Sequence, residues 1–311
     1  MIVVCGEALF DVFPEQQTRT GLQLSARIGG SPFNLAVGLA RLGVPPLFFG
    51  GLSNDLFGQR LASALTEEQV DISAAPRLDA QSALVMVSVD NRGVPAYGFY
   101  GTGTAERSLV EADIARVPKN AGVIHVGSYC MVCKPVANAL RALVERQQGQ
   151  SVIVYDPNIR LSIEPSVSLW RETLEWMLPR TGVLKVSDED LNYLYPGQSA
   201  EDFIAVALRA GVQLVVVTRG SAGALAATAH GVRAVISAVP VRVVDTVGAG
   251  DTFQAGLLSW LWRKGFLQKD GLRGLDIKAL ETALRFAACA AAITCSRRGA
   301  DLPHLSEVIF D

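Results

Sequence analysis

The run Asp245-Thr246-Val247-Gly248-Ala249-Gly250-Asp251 lies between a β-branched stretch, Val241 to Val244, and an apolar helical pattern, Phe253 to Trp262. It reads as a strand, a tight small-residue turn and a helix start. Gly248, Ala249 and Gly250 leave their backbone N–H groups open to an anion. At a helix N-terminus, unpaired donors and the helix dipole favour negative charge. Asp251 adds a carboxylate, a proton acceptor, at the mouth of that anion site. Anion stabilisation beside a base is the chemistry of phosphoryl transfer to a hydroxyl. An ordinary strand-to-helix turn capped by Asp would carry the same letters, so the turn gains weight only from a second motif.

That motif is Ile28-Gly29-Gly30-Ser31-Pro32-Phe33-Asn34, which enters a helical pattern from Phe33 to Leu42. Its glycines let a ligand approach the backbone, and Asn34 offers a donor and an acceptor one turn in. Upstream, Gly6-Glu7-Ala8-Leu9-Phe10-Asp11 follows the first apolar run, Ile2 to Cys5. Asp11 then falls beyond a strand, where a carboxylate can hold two sugar hydroxyls.

Short apolar strands alternate with helical patterns through most of the chain. Strands are predicted at Ile2–Cys5, Leu47–Phe49, Val123–Val126, Val152–Tyr155, Val183–Val186 and Leu214–Val217. Helices are predicted at Leu56–Leu65, Pro135–Arg146, Ser166–Met177, Thr252–Trp262 and Ile277–Thr294. Continuous apolar strands between helices indicate an α/β fold, a doubly wound, mostly parallel sheet covered on both faces. Ligands bind such a sheet beyond the carboxyl ends of its strands. Two segments, about 12–30 and 82–105, alternate instead and read as a small antiparallel β-lid, with a turn at Asp90-Asn91-Arg92-Gly93. A sheet of that size needs a cover on one face, either a partner subunit or the active-site opening. We expect one domain over 1–311.

The chain has 311 residues, 50% apolar and 19% charged, with a net charge of −2. That supports a substantial core and gives no electrostatic reason to expect nucleic acid or an anionic membrane surface. No apolar run is long enough to span a bilayer, no signal peptide is visible, and five scattered cysteines suit reduced thiols in the cytoplasm. Cys130 and Cys133 read as thiols at a strand end rather than a redox or zinc motif, and His125 as a core or edge histidine. A dinucleotide-binding dehydrogenase is disfavoured, because Gly-x-Gly-x-x-Gly does not follow the first strand.

Gly29-Gly30-x-x-x-Asn34 followed by Asp245-Thr246-x-Gly248-Ala249-Gly250-Asp251 resembles the paired signatures of the ribokinase (PfkB-type) carbohydrate kinases. The resemblance spans nearly the whole chain, and its first motifs look most like the bacterial fructokinases. It implies an ATP-dependent sugar kinase, with fructose the first choice. Alternatives are 2-keto-3-deoxygluconate, another sugar or a nucleoside, and an inactive nucleotide-binding regulator. An acid substrate should require a cation near the lid, for which Arg92 and Arg107 are candidates.

The resemblance also implies roles. Asp251 matches the catalytic base, and Gly248, Ala249 and Gly250 the anion hole. Asp11, Gly30 and Asn34 match sugar-holding positions. Phe99 would pack on the sugar or on the lid sheet. Thr218-Arg219-Gly220-x-x-Gly223 resembles a phosphate-touching loop. In Asp156-Pro157-Asn158-Ile159-Arg160, Asn158 would face phosphate or metal water, and Arg160 the substrate, a phosphate or a surface partner. Lys185 is placed to approach ATP phosphates. Where the family often has Asn-x-x-Glu, this chain has Ser187-Asp188-Glu189-Asp190, which leaves Asp190 to reach Mg²⁺ through water, with Glu189 as the alternative. Ala288, Ala291 and Ala292 would line an adenine pocket, and Asp245 with Ser296 a site for K⁺. The lid would serve a homodimer contact.

Overall fold

The computed structural model describes residues 1–89 and 95–310. In chain order the strands are β1 (Ile2–Cys5), β2 (Leu9–Gln17), β3 (Leu22–Gly29), β4 (Leu47–Phe49), β5 (Leu52–Ser53), β6 (Arg77–Leu78), β7 (Leu84–Val89), β8 (Pro95–Tyr100), β9 (Val123–Gly127), β10 (Val152–Asp156), β11 (Val183–Ser187), β12 (Leu214–Thr218), β13 (Ala224–Thr228) and β14 (Arg233–Ile236). The helices are α1 (Ser31–Arg41), α2 (Leu56–Glu67), α3 (Val136–Gln147), α4 (Val167–Met177), α5 (Asp188–Leu194), α6 (Ala200–Arg209), α7 (Ala249–Arg263) and α8 (Ile277–Cys295).

The main sheet has eight strands in the order β14-β13-β12-β11-β10-β9-β1-β4. From β12 to β4 every pairing is parallel, and β13 and β14 add an antiparallel edge. Strand periodicity explains the two-sided burial. Ile2 and Val4 of β1 enter one hydrophobic cluster with α1, α7 and α8, whereas Val3 and Cys5 enter another with α3, α4 and α6. Two hairpins, β2–β3 and β7–β8, make a four-stranded lid, antiparallel within each hairpin and joined by a parallel β2–β7 pairing. The predicted turn at Asp90–Gly93 lies outside the described residues.

The run Val241–Val244 is not a strand. β14 already forms the sheet edge, and Val243 and Val244 are 60% and 58% exposed. The amides of Val244 and Asp245 instead donate to the Cys295 carbonyl at the end of α8. β-Branched residues favour a strand only where a partner strand is available. The β13–β14 hairpin was not legible in the sequence, because Ala224-Leu225-Ala226-Ala227-Thr228 carries little strand propensity.

Two close helix crossings set the site. A Cβ on Gly38 of α1 would stand 2.8 Å from Ala255 Cβ of α7, and one on Gly256 of α7 would stand 2.8 Å from Ala287 Cα of α8. Both glycines therefore let backbones approach where side chains would hold them apart. α7 is thus fixed between α1 and α8. Among the described residues, no helix is long and apolar enough to cross a membrane.

Candidate active site

The N-termini of α1 and α7 converge on one carboxylate. Ser31 Oγ donates to Asp251 Oδ1 at 2.6 Å, and Asn34 Nδ2 donates to Asp251 Oδ2 at 2.8 Å. Asp251 is half-buried in the first turn of α7, and neither bond is local in sequence. Ser31 was not singled out in the sequence, although it stands inside the quoted Gly-Gly-Ser-Pro-Phe-Asn run.

Gly248 caps α7 in the left-handed region, at φ 77°, and a Cβ there would lie 2.7 Å from Ala300 Cβ. The next amides differ in availability. Ala249 N–H donates to Thr246 O at 3.2 Å, whereas Gly250 and Asp251 N–H have no backbone acceptor among the described residues. These open donors lie at the positive end of a 15-residue helix.

Beneath them stands a buried cation. Lys185 Nζ lies 3.3 Å from where a Cβ on Gly250 would be, and 2.7 Å from Asp156 Oδ2. Lys185 is 4% exposed and Asp156 2%. Burial alone would pull the ammonium pKa down. Asp156, with Asp251 and Asp190 nearby, more than offsets this and holds it above the ordinary lysine value. Asp190, also buried, accepts Ile159 N–H through Oδ1 at 3.0 Å. One oxygen of Asp156 is buried with no partner among the described residues.

Beyond β1, Gly30 adopts φ 105°, and a Cβ there would come within 2.9 Å of Glu7 O. Asp11 lies over the same turn, since a Cβ on Gly29 would meet its Oδ2 at 2.5 Å. Burial raises the Asp11 carboxyl to about 6, against the opposing pull of Arg160. Arg160 is exposed and donates from Nη1 to Ile159 O at 2.9 Å. Asn158 has φ 42° and its Nδ2 is 3.5 Å from Ser128 Oγ.

Phe99 turns under the lid. Its ring meets Tyr129 at 5.5 Å between centroids, and Arg107 lies over it at 4.7 Å. Arg92 lies outside the described residues.

Thr218 ends β12 in register with Ser187 of β11. Gly220 and Gly223 both have positive φ, at 50° and 85°, and a side chain at Gly223 would run into Ile236 O. Ala288 and Ala292 are half-buried on α8, which packs against α7 and β14. Asp245 accepts from Val247 N–H at 3.1 Å and from Gly299 N–H at 2.8 Å, and Ser296 Oγ donates to Ile293 O at 2.7 Å. His125 is 2% exposed, and burial lowers its pKa to about 3, so it is a neutral core residue.

A doubly wound sheet with a β-lid, whose helix N-termini focus donors and a carboxylate on one point, defines a ribokinase-like kinase. The chain belongs to the PfkB family of carbohydrate kinases: the pfkB family carbohydrate kinase model matches residues 1–307. It is 34% identical over 280 residues to a fructokinase of Rhizobium leguminosarum bv. trifolii, covering 90% of this chain and 85% of that protein. Its fold matches fructokinase with bound ATP from Xylella fastidiosa at TM-score 0.86 and 27% identity, over 99% of this chain and 96% of that one. A double-mutant fructokinase from Vibrio cholerae O395, in a form with fructose, ADP and potassium ion bound, matches at TM-score 0.82 and 28% identity, over 96% and 93%. The chain is a sugar kinase.

Proposed function

We propose that this kinase transfers the γ-phosphoryl group of ATP to a primary hydroxyl of fructose, with residues 1–311 acting as one kinase unit. The observation that carries the reading is the placement of Asp251 between the Ser31 and Asn34 donors and the open amides of α7. Asp251 takes the proton of the sugar hydroxyl. The Gly248–Gly250 turn and Lys185 meet the charge of the transferring group. A positioned base contributes roughly 10²–10⁴ in rate, and each preorganised donor roughly 10²–10³. Asp11, the Gly30 turn and Asn34 hold the sugar, with Phe99 and Arg160 at its edge. Thr218, Gly220, Gly223 and Asn158 face the phosphates, and Ala288 and Ala292 the adenine.

Charge balance favours a neutral sugar over 2-keto-3-deoxygluconate. Arg107 is accompanied by the buried Glu106 and Glu7, and Arg160 acts on Glu7 and Asp11. An incoming carboxylate would therefore meet two arginines already accompanied by three carboxyl groups, of which Glu7 and Glu106 are buried. Both the Rhizobium and the Xylella relatives are fructokinases.

Magnesium fits through water and phosphate rather than through a protein cage. No group of three or more His, Cys, Asp or Glu suited to a metal occurs among the described residues. Asp190 would hold its water shell. When bound, Mg²⁺ supplies charge neutralisation at the phosphates. For K⁺, the Asp245 carboxylate is engaged by two amides, so carbonyls around Asp245 and Ser296 would supply the ligands. Potassium in the Vibrio relative supports this assignment.

Leu22 and Leu24, 52% and 46% exposed on one face of β3, support a homodimer through the lid. The cysteines are all free, which suits a reducing cytoplasm.

The test is coupled ADP release with Mg-ATP against fructose, ribose, 2-keto-3-deoxygluconate and a nucleoside. Turnover on fructose that collapses in Asp251→Asn is expected. Turnover confined to another substrate discards fructose, and undiminished turnover in Asp251→Asn discards the base.

A further inference from the structure

Arg27 of β3 is a lid cation that the chemistry above leaves unused. It stands directly opposite Asp11 in the β2–β3 ladder, so the two side chains share one face of the lid. Phe13, two residues on from Asp11, lies on that face too, and the Arg27 guanidinium sits over its ring, 5.3 Å from the centroid. Phe10 and Val12, on the other face of β2, are buried in the core. Arg27 is half-buried, and among the described residues it forms no ion pair.

From the lid, Arg27 reaches the loop that follows α8. Its Nη1 lies 3.6 Å from where a Cβ on Gly299 would be. That loop is held from three sides. Gly299 N–H donates to Asp245 Oδ2 at 2.8 Å, and Ala300 Cβ stands 2.7 Å from where a Cβ on Gly248 would be. Arg41, at the end of α1, donates to Asp301 Oδ1 at 3.1 Å and to Leu302 O at 2.5 Å. The loop therefore backs the Gly248 turn and is tied to α1, the two elements that converge on Asp251. Arg27 stands where the movable lid meets this fixed wall. The Phe13 ring sets the plane of its guanidinium, so the N–H groups are presented in a fixed fork that a lysine ammonium does not reproduce.

We propose that Arg27 is a positioning residue for phosphoryl transfer, clasping the lid to the Gly299 loop and so keeping water out of the place of the sugar hydroxyl before Asp251. This rests on the reading of Asp251 as the base. Closure of such a site prevents hydrolysis in place of transfer. Without the clasp, water occupies the position of the hydroxyl. Its oxygen bonds to the γ-phosphorus, the bond from that phosphorus to the β–γ bridging oxygen breaks, and a water proton passes to Asp251. The products are then ADP and inorganic phosphate.

The experiment gives wild type, Arg27→Met and Arg27→Lys Mg-ATP and fructose, and measures ADP, sugar phosphate and inorganic phosphate separately. Wild type should form ADP and sugar phosphate in equal amounts. Arg27→Met keeps an unbranched apolar stem over Phe13 and loses the donors. Its kcat for sugar phosphate should fall about tenfold to a hundredfold, the scale of a small misplacement of reacting groups. Inorganic phosphate should rise until ADP clearly exceeds sugar phosphate, while the melting temperature stays within about 2 °C. Arg27→Lys, which keeps the charge without the fork, should fall between the two, and it serves alone if the Met variant does not fold. Equal ADP and sugar phosphate in every variant, at any rate, overturns the clasp alone. Undiminished turnover in Asp251→Asn overturns the base on which the clasp rests.

Discussion

Asn34 and Asp251 stand 217 positions apart in the chain, yet Asn34 Nδ2 donates to Asp251 Oδ2 at 2.8 Å. The bond joins the two glycine motifs into one site. It also gives Asn34 a task that a sugar contact alone would not require, which is to orient the Asp251 carboxylate, the group proposed to accept the proton.

Replacing Asn34 should therefore affect the base. Asn34→Leu is expected to lower kcat by about tenfold to a hundredfold, the scale of a small misplacement of a reacting group. Asn34→Asp sets a like charge against Asp251 and disfavours its ionised form. The acid limb of the pH–rate profile should then move to higher pH. An unmoved limb in Asn34→Asp would show that the two side chains do not interact during turnover.

Lys185 and Asp156 form a buried pair at 2.7 Å. Lys185→Met leaves a buried carboxylate uncompensated and should cost about 3–5 kcal/mol in urea denaturation. Adding Asp156→Asn should recover most of that stability. Activity should not recover, because the cation under Gly250 is still missing, and a deficit of roughly 10²–10³ in kcat is expected. Recovery of both together would make the pair purely structural.

At Gly248 the backbone sits at φ 77°, and a Cβ would lie 2.7 Å from Ala300 Cβ. Gly248→Ala should lose about 1–2 kcal/mol for the left-handed conformation alone. The displaced amides of the α7 turn should also reduce kcat. Thermal melting together with ADP release checks both effects, and an Ala variant with wild-type melting and rate would contradict this geometry.

Glu106 gives a pH prediction. Burial raises its carboxyl to about 7, opposed by Thr104, whose hydroxyl donates to Glu106 Oε1 at 2.6 Å. In the unfolded chain it titrates near the ordinary glutamate value, about 4.3. Between those values the folded state binds more protons than the unfolded one, so stability falls as pH rises through the window. Glu106→Gln keeps the acceptor and removes the titration. Its gain in melting temperature over wild type should therefore be larger at pH 8 than at pH 5. The opposite ordering would mean that Glu106 is stabilised as an anion.

Much of this arrangement was legible because local rules apply to it. Alternating apolar strands and helices require a covered parallel sheet, and Gly248-Ala249-Gly250-Asp251 requires a turn at a helix start, wherever the rest of the chain goes. Val241–Val244 misled because a β-branched run needs a neighbouring strand, and β14 had already closed that edge. Glu7 and Glu106 gave no signal at all, since acidic residues are ordinarily on the surface and only their packing beside Cys130 and Tyr129 reveals them as buried.

The sequence by itself determined the two glycine turns, the fold class and the class of chemistry they suit, because glycine spacing, helix starts and strand periodicity are properties of neighbouring residues. Tertiary structure decided which groups meet: Ser31 and Asn34 on Asp251, Lys185 on Asp156 beneath Gly250, and Arg107 between Phe99 and Tyr129. Hydrogen bonds and ion pairs act over a few ångströms, and only the close crossing of α1 with α7 and the adjacency of β10 and β11 bring residues so distant in the chain within that range.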